Sequence, residues 1–125
     1  MYVTKFTYYS LRALIYLANN RDHLCTVNEL AENLKVSHHH LKKIIHKLAK
    51  TDFIITTQGR LGGVKLGLAP RDIKLSDVIK ITESNLNIEN YYEDINSSSK
   101  LKEVMQVAVD GFVNEFSKFT LANLL

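Results

Sequence analysis

The chain has 125 residues, 46% of them hydrophobic, and Lys plus Arg outnumber Asp plus Glu by 16 to 13, a formal net charge of +3. That length suits one domain, or one domain with a dimerisation arm, and no apolar run approaches the length needed to span a membrane. The single cysteine, Cys25, excludes an internal disulfide framework and accords with a reducing cytoplasm.

Taken in chain order, Phe6, Leu11, Leu14, Leu17 and Ala18 recur at helical spacing. Polar residues interrupt them and no small-residue cleavage site follows, so this is a first helix packed on the core rather than a signal peptide. Thr26-Val27-Asn28-Glu29 has the Thr-x-x-Glu pattern of a capping box. It starts a short helix with Val27, Leu30, Ala31 and Leu34 on one face. Lys35-Val36 makes a turn, and Ser37 caps a second helix to about Lys50, with Leu41, Ile44, Ile45 and Leu48 inward. Two β-type runs follow, Phe53–Thr57 and Val64–Leu68, flanking the glycine-punctuated segment Gln58–Gly63. Stacked helices with a two-stranded wing predict a duplex-DNA reading head.

Past the wing, Pro70 stops the second strand, and Ser76 is expected to cap a short helix over Leu75–Thr82. Asn85 to Ser99 has no periodicity and reads as a loop. Then Leu101, Val104, Met105, Ala108, Val109, Phe112, Val113 and Phe116 recur every three or four residues. Such a stripe must be buried, and a second copy of the chain is the economical partner; the alternative is an ordinary core helix. The expected architecture is mainly α with a small β-wing. Residues 1–83 form the winged helix-turn-helix domain, 84–99 a loop, and 100–125 the dimerisation helix and tail.

Charge is unevenly shared. From Lys35 to Lys65 there are seven basic residues against Asp52 alone, whereas from Glu83 to Glu115 seven acids face Lys100 and Lys102. A positive head gains affinity for phosphates by counterion release, and an acidic half stays off the duplex. Lysines can also merely solvate a helix face; the adjoining helix-turn-helix spacing favours the DNA reading. Two heads related by a two-fold axis would enter major grooves about 34 Å apart, on a pseudo-palindromic operator. His38, His39, His40 and Lys42 would face base edges, while Ser37 and Lys43 hold phosphates. Arg60 at the wing tip would enter the minor groove, with Gln58 beside it.

Other chemistries fare poorly. Neighbours on a helix point about 100° apart, so three consecutive histidines cannot converge on one ion. Glu89, Glu93 and Asp94 read as a solvated acidic loop rather than a hard-metal site. No nucleophile–base–orienter set stands out, and no enzyme is expected. A position just before a helix start can lower a thiol's pKa, but Cys25 is read as a buried structural residue without an evident partner.

These residues resemble the IscR/NsrR-type (Rrf) family of bacterial winged-helix regulators over nearly the whole chain. The similarity lies at Phe6-Thr7, Tyr9 and Leu11-Arg12-Ala13-Leu14, at Val36-Ser37 and His40-Leu41-Lys42-Lys43-Ile44, at Gly59, Gly62-Gly63 and Leu66-Gly67, and at Leu101-Lys102 and Thr120–Leu125. The tail is close to the nitric-oxide-sensing NsrR branch. The resemblance implies a cytoplasmic, dimeric regulator, often of iron–sulfur biogenesis, nitrosative stress or cysteine metabolism. Cluster-binding members carry three cysteines before the long helix. The corresponding positions here are near Ile88, near Glu93 and at Ser99, and the acidic ligand of the NsrR branch falls at Tyr8. Iron–sulfur clusters need thiolates, so no cofactor is expected. Gln58 stands where the family often has arginine. The resulting expectation is a cluster-free homodimeric repressor answering to a protein or small-molecule effector. The alternative is a protein-interaction module docking through residues 87–99, with Tyr91 and Tyr92 among acids.

Overall fold

Thr4 opens helix α1 (Lys5–Asn19), its side chain accepting the Thr7 N–H at 3.3 Å. The structure, a computed structural model, describes residues 2–92 and 99–125. The inward face of α1 is Thr7, Ser10, Ala13, Leu14 and Leu17, so the buried stripe is rotated from the expected one, with Leu11 and Ala18 at its edge. Two hydroxyls can lie inside because each is satisfied. Ser10 donates to the Phe6 carbonyl at 2.7 Å, and Thr7 pairs with the Thr82 hydroxyl at 2.7 Å and with the Glu83 carboxylate.

Helix α2 (Val27–Leu34) is capped by Thr26, which accepts the Glu29 N–H at 3.0 Å. Only that half of the expected capping box forms, because the Glu29 carboxylate turns away to Tyr16 and His23. Lys35 ends α2 in the left-handed region, φ 55°, reversing the chain into α3 (His38–Leu48). Ser37 caps α3 by accepting the His40 N–H at 3.1 Å. Leu41, Ile44, Ile45 and Leu48 are all buried, as their spacing predicts. Each such side chain contributes roughly 1.5–3 kcal/mol when removed from water.

Strands β1 (Ile54–Thr57) and β2 (Gly63–Leu66) pair antiparallel, Ile54 with Leu66 through Thr57 with Gly63. The turn between them needs glycine twice. Gly59 has φ 101°, and a Cβ on Gly62 would lie 2.0 Å from the Thr57 carbonyl oxygen. Cys25 extends the wing: its N–H and C=O bond Val64 at 2.9 and 2.8 Å. The core formed by these elements includes Leu14, Leu17, Leu30, Leu41, Ile44, Leu48, Ile54, Val64 and Leu66.

Helix α4 (Leu75–Thr82) occupies the expected span, but Ser76 is not its cap; it is buried within the first turn and Lys74 takes the cap position. The reason is the tail. Leu75 N–H bonds the Phe119 carbonyl at 3.0 Å and Leu121 N–H bonds Ile73 at 2.9 Å, fixing the backbone entering α4. The expected loop contains one turn of helix, α5 (Ile88–Tyr91), capped by Asn87. Glu93, Asp94 and the serines at 97 and 98 lie outside the described residues. Helix α6 (Ser99–Glu115) is followed by tight turns over Phe116–Lys118 and Leu121–Leu124, and Leu121 is fully buried in the core of the winged unit.

Candidate nucleic-acid interface

At 100° per residue the four buried positions of α3 fix its opposite side. His39, Lys42, Lys43, His46 and Lys47 fall on that outward arc, His38 lies at its edge, Lys50 follows just past the helix end, and all are exposed. His46 was missed in the sequence, although its four-residue offset from Lys42 places it in the same stripe. His40 departs from expectation. Its ring is half-buried against α1, with centroids 6.2 Å from Phe6 and 5.8 Å from Tyr9, so it joins two helices rather than facing a groove. Ser37 caps α3 with its oxygen and, among the described residues, donates its hydroxyl proton to no acceptor, a geometry compatible with donation to a phosphate.

At the wing, Gln58, Gly59, Arg60 and Leu61 are exposed at the tip. Leu61, at 91% exposure, is an apolar tip residue that sequence reasoning passed over. A groove runs between the wing and the start of α2, lined by Thr26, Asn28, Thr57, Gln58 and Arg60. Lys65 is exposed on β2. Among the described residues, none of Lys42, Lys43, Lys47, Lys50, Arg60 and Lys65 is in an ion pair, so their charge is available to an anionic partner. Arg12 does not join them; its guanidinium lies 5.9 and 5.4 Å from the rings of Tyr8 and Tyr9 and bonds the Leu34 carbonyl at 3.4 Å.

The stripe on α6 is divided. Val109 and Val113 are buried within the chain and do not belong to an outward face. Leu101, Val104 and Ala108 are exposed, and Met105, Phe112 and Phe116 are half-buried. The eight positions span about 180° of the helix, too wide for one contact. Gln106 fastens the inward side by accepting the Ile88 N–H and donating to the Leu86 carbonyl, each at 2.8 Å. Phe112 and Phe116 meet edge to face at 5.5 Å and, with Tyr8 and Val3, line an apolar cleft beside the N-terminus.

The residues present do not fit a thiolate-held iron–sulfur cluster before α6. Ile88 is buried and apolar, Ser99 and Tyr8 are exposed, and the one cysteine is Cys25 at the wing root. Cys25 has partners the sequence did not suggest. Its Sγ lies 3.7 Å from His23 Nε2, which is 2.8 Å from Glu29 Oε2; Tyr16 donates to that same oxygen at 2.6 Å. Burial, then Glu29, pushes the thiol up to about 12, in line with the buried position expected for Cys25 and not with the lowering that a helix start can cause. The bonds from Tyr16 and then His23 hold Glu29 below its ordinary range, and the bond to Glu29 raises His23.

The sequence pattern of the Rrf2 family, described as "Iron-dependent Transcriptional regulator", matches residues 3–125. The HTH-type transcriptional regulator NsrR of Bacillus subtilis (strain 168) is 34% identical over 132 residues, covering 100% of this chain and 90% of that protein. Among solved structures, T. potens IscR superposes with a TM-score of 0.76 at 24% identity, over 99% of this chain and 85% of its own. CymR, the global cysteine regulator of B. subtilis, does so with a TM-score of 0.74 at 21% identity, over 99% and 95%. The chain therefore belongs to the Rrf2 family and is a DNA-binding transcriptional regulator rather than an enzyme.

Proposed function

We propose that the chain acts as a homodimeric, sequence-specific repressor on a pseudo-palindromic operator, without an iron–sulfur cluster. The observation that carries this reading is the basic arc of α3 and the wing, in no ion pair among the described residues, on a chain whose α6 leaves Val104 and Ala108 exposed. His38, His39 and Lys42 read base edges at the start of α3, and Ser37 and Lys43 hold phosphates on either side. Gln58 and Arg60 track the neighbouring minor groove from the wing. A second copy covers Leu101, Val104, Met105, Ala108, Phe112 and Phe116, setting two heads about one helical turn apart. The missing thiolates before α6 support the cluster-free half of the reading.

The test is a footprint on the gene's own promoter region, with affinity measured at several salt concentrations. A palindromic footprint and a steep linear fall of log affinity with log salt are expected. Absence of duplex binding at any salt would overturn the reading and leave residues 87–99 as a protein-docking segment. An anaerobically prepared, brown, sulfide-containing sample would overturn its cluster-free half.

A further inference from the structure

We propose that His23, Cys25 and Glu29 form a binding site for one thiophilic divalent cation of the zinc class, which fastens the root of the wing to the start of α2. The three ligand atoms, Nε2, Sγ and a carboxylate oxygen, lie within 4.8 Å of one another. Imidazole, thiolate and carboxylate are the donors zinc takes, at about 2.0–2.3 Å, and such bonds set tetrahedral ligands roughly 3.3–3.7 Å apart. The Sγ–Nε2 separation of 3.7 Å already meets that. The Nε2–Oε2 separation of 2.8 Å must open slightly, and His23, 43% exposed at its side chain, can move.

The surroundings are those of a metal site. His23 Nδ1 sits 2.9 Å from Asp22 Oδ1, so a carboxylate holds the ring with Nε2 directed at the cluster. Tyr16 orients the Glu29 carboxylate by donating to Oε2, the oxygen that His23 also meets. On binding, the thiol proton and the Nε2 proton that faces Glu29 both pass to solvent, Nε2 gives its lone pair to the ion, and Nδ1–H stays on Asp22. Thiolate and carboxylate then balance the dication. Three protein ligands leave a fourth position to water, the pattern of an exchangeable rather than a closed site. His23 and Glu29 are partly exposed and provide the entry path, while Cys25 forms the buried floor.

The position matters because Cys25 bonds Val64 of β2 through both backbone groups, and Glu29 lies in the first turn of α2. An ion joining them holds the wing against the reading head. Its consequence for operator occupancy rests on the function proposed above; the site itself does not.

Purified full-length chain, stripped with chelator, is titrated with zinc and, as a coloured probe, with cobalt(II). One ion per chain and a thiolate-to-cobalt charge-transfer band are expected. Asp22→Asn should weaken zinc about 10-fold, and Cys25→Ala should abolish the band. Because Cys25 is buried, His23→Gln at the surface is the second variant and should weaken zinc by at least about 100-fold, since removing a direct ligand costs more than removing the outer-shell Asp22. Unchanged zinc affinity in His23→Gln, or a cobalt spectrum without the thiolate band, would overturn the site. Zinc should tighten operator binding by wild type and not by His23→Gln; equal operator affinity with and without zinc would overturn the fastening role. Loss of operator binding with zinc uptake intact would count against the regulatory reading instead.

Discussion

The solvent sides of α3 and α6 differ in what they leave uncovered. On α3 the four apolar positions close entirely inside the chain, and what faces outward is histidine and lysine. On α6 only Val109 and Val113 are buried, with Gln106 hydrogen-bonded on the same side, so apolar side chains remain outside, Val104 and Val107 at 66% and 67% exposure. An amphipathic helix whose apolar arc matches its contact is finished by its own domain. One whose arc is wider presents the surplus to something else.

Truncation of Leu41, at 0% exposure on α3, gives the largest expected effect. Leu41→Ala should lower unfolding free energy by about 2–5 kcal/mol, the cost of a core cavity, read from a urea denaturation midpoint. A change below ~1 kcal/mol would mean that α3 is not clamped as described. On α6, Val104→Glu should leave the fold intact and weaken self-association on the order of 100-fold, since an unpaired buried carboxylate costs several kcal/mol. Sedimentation velocity decides it, and an unchanged sedimentation coefficient would remove Val104 from the proposed dimer face.

The two sides of α6 can also be set against each other with one chemistry. Val113→Ala, facing inward at 5% exposure, should cost about 1.5 kcal/mol. Val107→Ala, exposed and outside the predicted stripe, should stay within about 0.5 kcal/mol. Equal losses would show that α6 is held by more than its Val109–Val113 side.

The same contrast explains what was legible in the residue order. The face of α3 could be read because four aliphatic residues at regular spacing match a single buried arc. The α6 stripe could not be divided in advance, because spacing does not say which edge of a 180° arc meets α4. His40 looked like its neighbours His38 and His39 until Phe6 and Tyr9, some thirty residues earlier in the chain, were brought to its ring. Thr7 and Ser10 are among the polar residues that interrupt the apolar spacing of α1, and spacing does not say that Glu83, Thr82 and the Phe6 carbonyl satisfy them inside. Glu29 carried a plausible local role as a capping residue, and only the packing of Tyr16 and the approach of His23 withdrew it.

The smallest expected effect tests the charges rather than the packing. Lys43 on α3 and Lys118 beyond α6 are both exposed, but Lys118 is held 2.8 Å from Glu115 whereas Lys43 is in no ion pair among the described residues. Lys43→Gln and Lys118→Gln each remove one positive charge, so a mere change in net charge would move operator binding equally in both. If Lys43 holds a phosphate, its loss releases one fewer counterion and reduces the log–log salt slope by about 1. Lys118→Gln should leave that slope unchanged, since its charge is already paired and lies beyond the reading head. Equal slopes in both variants would place the phosphate contacts elsewhere on the head, with Lys50 and Lys65 the next exposed cations to test.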